Sequence, residues 1–198
     1  MKILGISTSP RKGKTTFIAL EACLRAAKDA FPTIGTELIE LAGMTIHGCL
    51  ACGNCTKELK CSQEDDFGLL IPILSDPDLA GIVIATPVYL GSMTAQCKAF
   101  LDRGVMFRRN GFLFRDKVGG VLTVGGFRSG GQEITIQSVQ AAMLVQDMII
   151  VGDGKPFAHF GGTLWSGHPE GIAQDAFGLE TARNLGKRVA EVAKRIHG

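Results

Sequence analysis

The sequence predicts an α/β fold: a doubly wound parallel sheet of five strands with helices on both faces. Three observations predict it. Short apolar runs and segments of helical period alternate about five times along the 198 residues. The runs at 2–7, 81–85 and 117–124 are apolar almost throughout, as in strands covered on both faces. Each of these runs ends in a loop of small, polar or imino residues, at Thr8, Thr86 and Gly125.

Each element has its own signal. Residues 2–7 read as a buried strand, and 8–14 as a polar loop. From Thr15 to about Ala30, Phe17, Leu20, Leu24 and Ala27 recur on one helical face. Residues 35–40 read as the second strand. Residues 41–66 show no clean period and form an excursion holding four of the six cysteines. A short helix is expected over 67–74, capped by Asp65 or Asp66, with Pro72 unsettling its last turn. The strand at 81–85 is followed by a helix over 94–106, and the strand at 117–124 by a Gly-rich turn, 125–131. A helix over 132–146, a last strand at 148–151, an irregular stretch at 157–171 and an amphipathic helix over 181–197 complete one domain, 1–198. No linker, internal repeat or low-complexity tract divides it.

Bulk properties narrow the function classes. The apolar share is 45 % and the charged share 20 %, ordinary for a globular chain. Net charge is +2 with no basic block, which argues against nucleic acid. No apolar stretch approaches the roughly 20 residues that cross a bilayer. The apolar run in Met1–Ser7 is too short for a signal peptide, so the cytoplasm is expected. In that compartment clustered cysteines are metal ligands or reactive groups more often than structural disulfides.

Ligands of such sheets bind beyond the C-terminal strand ends, which puts three loops on one edge. The first reads Ser7-Thr8-Ser9-Pro10-Arg11-Lys12-Gly13-Lys14-Thr15-Thr16. Backbone N–H groups opening a helix, with the helix dipole, favour an anion. Ser9, Thr15 and Thr16 supply hydroxyl donors, Lys14 a cation, and Arg11 a planar cation for a phosphate or a ring. Gly13-Lys14-Thr15 looks like the end of a nucleotide P-loop, but Thr8 stands where that motif needs its first Gly. The dinucleotide fingerprint is absent too. In the second loop Pro87 stiffens the strand exit, Tyr89 offers a flat aromatic face and Gly91 permits close backbone approach. Residues 92–94 can cap the next helix. The third loop carries Gly125, Gly126, Gly130 and Gly131 before Gln132-Glu133.

Together these segments resemble the NADPH-dependent FMN reductase family. Ser9-Pro10-Arg11-Lys12-Gly13…Thr16 is similar to that family's phosphate loop, with Thr15 where an Asn is usual. Thr86-Pro87-Val88-Tyr89-Leu90-Gly91-Ser92-Met93-Thr94-Ala95, then Lys98-Ala99-Phe100-Leu101-Asp102-Arg103, resembles the isoalloxazine loop and its helix. The glycine loop and residues 175–186 match as well. The resemblance implies a flavodoxin-like fold, one FMN and a homodimer or homotetramer. It places the cofactor on Ser9, Arg11, Lys14, Thr15 and Thr16, on residues 87–93 (Pro87, Val88, Tyr89, Leu90, Gly91, Ser92, Met93), and on Gly125, Gly126, Gly130 and Gly131.

Cys49, Cys52, Cys55 and Cys61 read C-x2-C-x2-C-x5-C. Compact spacing brings thiols together, and iron–sulfur clusters are held by four thiolates. The run differs from the bacterial ferredoxin pattern in its last spacing and lacks the trailing proline. Rivals are tetrahedral zinc, a redox disulfide, and a cluster-free chain that keeps its cysteines. The spacing resembles the iron–sulfur flavoproteins of the same family, which implies a [4Fe-4S] cluster on these four residues. Asp65 and Asp66 match that pattern too. Cys23 and Cys97, on helices among apolar neighbours, read as inert buried thiols.

Other candidates read as structural. His47, His159, His168 and His197 share no ligand spacing, although His159 lies in a loop within reach of the flavin edge. Trp165 reads as packing, and Lys187, Arg188, Lys194 and Arg195 as a solvated helix face. Phe107, Arg108 and Arg109 fall in a helix-to-strand connection and are candidate subunit contacts. With a flavin carrying the chemistry, no side chain is required as catalytic base. The leading reading is an electron carrier whose cluster relays electrons between FMN and a redox partner such as ferredoxin, or a small-molecule acceptor. The alternative is an NAD(P)H-dependent reductase of FMN or quinones with incidental cysteines. A flavin redox sensor is the non-enzymatic option.

Overall fold

The computed structural model describes all residues, Met1–Gly198. The strands are β1 (Lys2–Ser7), β2 (Gly35–Glu40), β3 (Leu79–Pro87), β4 (Val118–Gly125), β5 (Ile149–Ile150) and β6 (Gly162–Trp165). The helices are α1 (Thr15–Ala30), α2 (Phe67–Leu74), α3 (Ala95–Arg103), α4 (Val105–Arg109), α5 (Gln132–Leu144) and α6 (Ala176–His197). No helix is long and apolar enough to cross a membrane.

All pairings are parallel, in the order β2-β1-β3-β4. The edge position beside β4 is shared by two short strands. β5 pairs with Val118 and Gly119, and β6 with Leu122 to Gly125. The expected five positions are present, the last of them built in two pieces.

Alternate residues of the central strands feed two cores. Ile3, Val83, Ala85, Val118 and Leu122 face α1 and α6, whereas Leu4, Ile6, Ile82, Ile84 and Val121 face α2 to α5. On the first face α1 and α6 approach so closely that a Cβ on Gly186 would collide with the Cys23 carbonyl oxygen. Cys23 and Cys97 are fully buried, and burial pushes both thiols up to about 12, as befits inert packing groups.

Several boundaries differ from the sequence expectation. The stretch 157–171 is not wholly irregular: β6 lies inside it, organised by the free edge of β4 rather than by any period of its own. The helix expected over 94–106 is two helices. The Gln146 amide donates to the Gly104 carbonyl at 2.9 Å, and this inserted partner re-aims the chain. Phe107 is therefore no subunit contact; it is fully buried and stacked on Phe114, with centroids 4.7 Å apart. The last helix begins at Ala176, not 181, because the Asp175 carboxylate accepts the Gly178 N–H. Strand β3 is longer than expected at both ends, whereas β5 and α5 are shorter than their predicted spans. At α2, Asp66 is the N-cap residue but its carboxylate turns to the Thr45 N–H; the Asp65 carboxylate accepts the Phe67 N–H at 3.2 Å, opening the helix, and the His47 N–H as well.

Gly186→Ala should destabilise the protein by about 1–3 kcal/mol, the cost of overpacking a close helix crossing. Gly68→Ala, with no atom within 4 Å of its new methyl, should be neutral or stabilising by up to about 1 kcal/mol. Urea unfolding of both variants checks this.

Candidate functional site

The first loop is stitched to the strand beside it. The Thr8 N–H and hydroxyl both donate to the Ala85 carbonyl, at 2.8 and 3.0 Å. The Ser9 hydroxyl accepts the Arg11 N–H, closing a turn, and Gly13 takes φ +63. The Gly13 N–H donates to Glu40 at 2.8 Å, tying the loop to the end of β2. Helix α1 then begins without a side-chain cap or an acidic residue in its first turn. Thr16 is buried, and its hydroxyl has no partner. An uncapped helix end with an unsatisfied buried donor suits anion oxygens. Arg11, Lys12 and Lys14 surround it, exposed.

The second loop is a tight reversal. Tyr89 and Ser92 exchange backbone hydrogen bonds at 2.8 and 3.1 Å, while Leu90 (φ 48) and Gly91 (φ 77) both adopt left-handed conformations. Such a pair makes a primed turn, and Leu90 holds it at a steric cost. The reversal leaves the Leu90 side chain fully exposed and Tyr89 half exposed. Thr94 then does three things. Its hydroxyl accepts the Cys97 N–H at 3.1 Å, donates to the Thr8 carbonyl at 2.9 Å, and its N–H meets the Thr86 hydroxyl. One residue thus caps α3 and joins the first two loops.

The third loop is held by Gln132, Trp165, Arg128 and Asp175, of which the sequence reading gave a role only to Trp165, as packing. Buried Gln132 folds back under it, donating to the Phe127 carbonyl and accepting the Gly130 N–H at 2.8 Å. The Trp165 indole donates to the Gly126 carbonyl at 2.9 Å, and Arg128 lies over its ring. The fully buried Asp175 carboxylate takes the Trp165 N–H at 2.7 Å and Arg128 at 3.1 Å. Gly131 sits so close to the second loop that a Cβ there would lie 3.4 Å from the Gly91 Cα. His159 is bound to Asp153 and packs against Phe157 and Phe177, so it serves its own excursion.

The cysteine excursion follows β2. Its entry and exit are clasped together. The Thr45 N–H donates to Asp66 and the His47 N–H to Asp65, at 2.7 and 2.9 Å. Asp65 also receives both terminal nitrogens of Arg103, at 2.7 and 3.0 Å, with both side chains buried. Arg103 further donates to the His47 carbonyl, packs over the Phe67 ring, and keeps its Nε buried without a partner. Burial pushes the Asp65 carboxyl up, but the bonds from Arg103 and the His47 N–H outweigh it and hold it below the usual carboxylate value.

Cys49, Cys52, Cys55 and Cys61 line one small pocket, with Arg103 and Arg109 in its wall. All four thiols are free. The Ser62 hydroxyl, 3.1 Å away, together with the Asn54 N–H, holds the Cys52 thiol below its ordinary value. Arg109 donates to the Cys55 sulfur at 3.4 Å, and the Asn110 amide to the Cys55 carbonyl at 2.8 Å. The donor chemistry fits a thiolate-bound centre. The thiols do not, as they stand, close on a common point: no three His, Cys, Asp or Glu side chains form a metal-holding group. An open groove of about 830 Å³ runs from Pro10 and Tyr89 to His47 and Gly48, alongside α3. It joins the first two loops to His47 and Gly48, just before Cys49.

The family model for NADPH-dependent FMN reductases matches residues 1–163. The chain is 45 % identical to an iron–sulfur flavoprotein of Methanocaldococcus jannaschii, over 99 % of both chains. It is 39 % identical to an iron–sulfur flavoprotein of Methanosarcina thermophila, over 99 % of this chain and 97 % of that one. Among solved structures, a flavodoxin, WrbA-like protein of Agrobacterium tumefaciens superposes with a TM-score of 0.68 at 22 % identity, over 98 % of each.

Removing Asp65 strands a buried guanidinium, so Asp65→Asn should cost about 3–5 kcal/mol at neutral pH. The folded pKa lies below the unfolded value of about 3.9. The pair's stabilisation is therefore fully present above about pH 4 and is lost as pH falls through the lower folded value. Unfolding free energies from pH 2 to pH 7 should show a steeper acid limb in wild type than in Asp65→Asn.

Proposed function

The chain belongs to the NADPH-dependent FMN reductase family and is a flavin-dependent oxidoreductase, and from that premise we propose that its three loops hold one FMN and its four excursion cysteines a [4Fe-4S] cluster. The observation that carries the flavin site is the uncapped start of α1 with the orphaned Thr16 hydroxyl, at the point where β1 and β3 part. Ser9, Arg11, Lys14, Thr15 and Thr16 receive the phosphate. Residues 87–93 and Gly125, Gly126, Gly130 and Gly131 receive the ring, with Tyr89 as its aromatic neighbour and backbone N–H groups toward its carbonyl side. FMN there supplies hydride and single-electron transfer. The chain's task is to bind and orient it, and Thr94 and Gln132 keep the loops in register for that.

Four thiols around one pocket, with two guanidiniums in the wall, support the cluster as a one-electron relay to a partner such as ferredoxin. We place the protein in the cytoplasm as a homodimer or homotetramer; exposed Leu90 and Phe127 beside the site suit a covered face. A second reading, NAD(P)H-dependent reduction of FMN or quinones without a cluster, draws on the separated thiols and the open groove at Tyr89.

Three measurements test this. Anaerobically purified protein should release FMN, not FAD, and contain iron and acid-labile sulfide; iron-free protein that NADPH bleaches rapidly gives the second reading. Arg11→Ala should weaken FMN binding by about 1.5–3 kcal/mol, the range for a charged hydrogen bond. Thr16→Val should also weaken it, while apo-protein stability holds or rises, because the lost hydroxyl has no protein partner. Cys52→Ala should remove the iron, keep the FMN, and slow reduction by ferredoxin but not by dithionite.

A further inference from the structure

Two cations stand in the wall of the cysteine pocket, and their surroundings differ. Arg103 is buried and paired: Asp65 grips it through both carboxylate oxygens, and its other neighbours are the His47 carbonyl, the Phe67 ring and the Cys61 thiol. The Asp65 carboxylate offsets its charge. Arg109 sits at the other end of the α3–α4 corner, on the pocket rim. Its guanidinium donates to the Cys55 sulfur at 3.4 Å, and it lines the same pocket as Cys49, Cys52 and Cys61. No carboxylate offsets it. The neighbouring Arg108 points elsewhere, 5.4 Å from the centroid of the Phe112 ring.

We propose that Arg109, the one of these two cations that no carboxylate offsets, tunes the electron affinity of the cysteine centre. This rests on the cluster reading above. An uncompensated positive charge and an N–H donor at a ligand sulfur both favour the reduced, more negative state of a thiolate-bound centre. Asn110, next along the chain, fixes the Cys55 carbonyl, so the sulfur and the guanidinium are held by one corner.

The test uses anaerobic holoprotein and dithionite titration, with the reduced cluster followed by electron paramagnetic resonance and iron and sulfide measured in parallel. Arg109→Gln should keep its iron and shift the reduction equilibrium about tenfold toward the oxidised cluster, a fall of about 59 mV for one electron. Arg109→Lys should recover part of that shift. Arg108→Gln removes the same formal charge one residue away and should leave the potential unchanged. Partial loading does not blur the result, since a potential is independent of amount. Equal potentials in wild type and Arg109→Gln overturn the proposal, as does an equal shift in Arg108→Gln, which would make it a matter of net charge. Complete loss of iron in Arg109→Gln overturns it too, by making Arg109 a positioning residue. Wild type without iron or sulfide instead overturns the cluster reading, and this inference with it.

Discussion

The constraint on which this structure depends is the parting of β1 and β3. The two strands run side by side and parallel, yet the chain leaves β1 for α1 on one face of the sheet and leaves β3 for α3 on the other. A crevice must open between them at the C-terminal edge. Backbone groups there cannot complete a ladder, and buried ones cannot stay unpaired without cost. Thr8 and Thr94 meet that demand. Thr8 bonds to the end of β3 and Thr94 bonds back to Thr8, closing the base of the crevice while its mouth stays open. What is left unsatisfied, the Thr16 hydroxyl and the first N–H groups of α1, defines where an anion is wanted.

The two candidate sites are held in opposite ways. The crevice loops are short and pinned by buried side chains from distant elements, Gln132 and Asp175 above all. Such pins resist rearrangement, which suits a rigid cofactor that must be oriented. Between Ala42 and Asp66 no residue is buried as a whole; the excursion is hung on the ion pair of Asp65 and Arg103. A segment with little buried apolar surface opens at low free-energy cost. Its thiols can therefore change their spacing without disturbing the sheet.

What was legible in the sequence follows from range. Apolar runs for β1, β3 and β4 and the stripe of α1 are local patterns, and they located the edge on which the loops gather. The cap of α3 was legible to within the segment 92–94, and Thr94 takes the role. Strand β6 was hidden because its four residues carry no period; the edge of β4 makes it a strand. The break at Gly104 depends on an amide 42 positions away, at Gln146. Arg103 belonged to a recognisable helix, but its partner Asp65 is 38 positions distant, and nothing local announces a buried ion pair. Arg109 read as a candidate subunit contact because the fold of α4 onto the Asn54–Thr56 turn is a tertiary event.

The six cysteines show that environment, not residue type, assigns chemistry. Cys23 and Cys97 sit in the two cores, where the absence of water disfavours a charged sulfur and lifts both thiols to about 12. They are packing groups. Cys52 lies at the surface, where the Ser62 hydroxyl, the Asn54 N–H and the nearby Arg109 all favour the thiolate. The same chain thus keeps two sulfurs out of reach of oxidants and metals and offers others to them. The division is geometric in origin. Helices α1 and α3 must bury one face each, so their cysteines are silenced, whereas the excursion only leans on the core, through Met44, Ile46, Cys55 and Leu59, none of them buried as a whole. Its composition is free to be set by ligand chemistry, and the neighbouring helix corner is free to supply the charge.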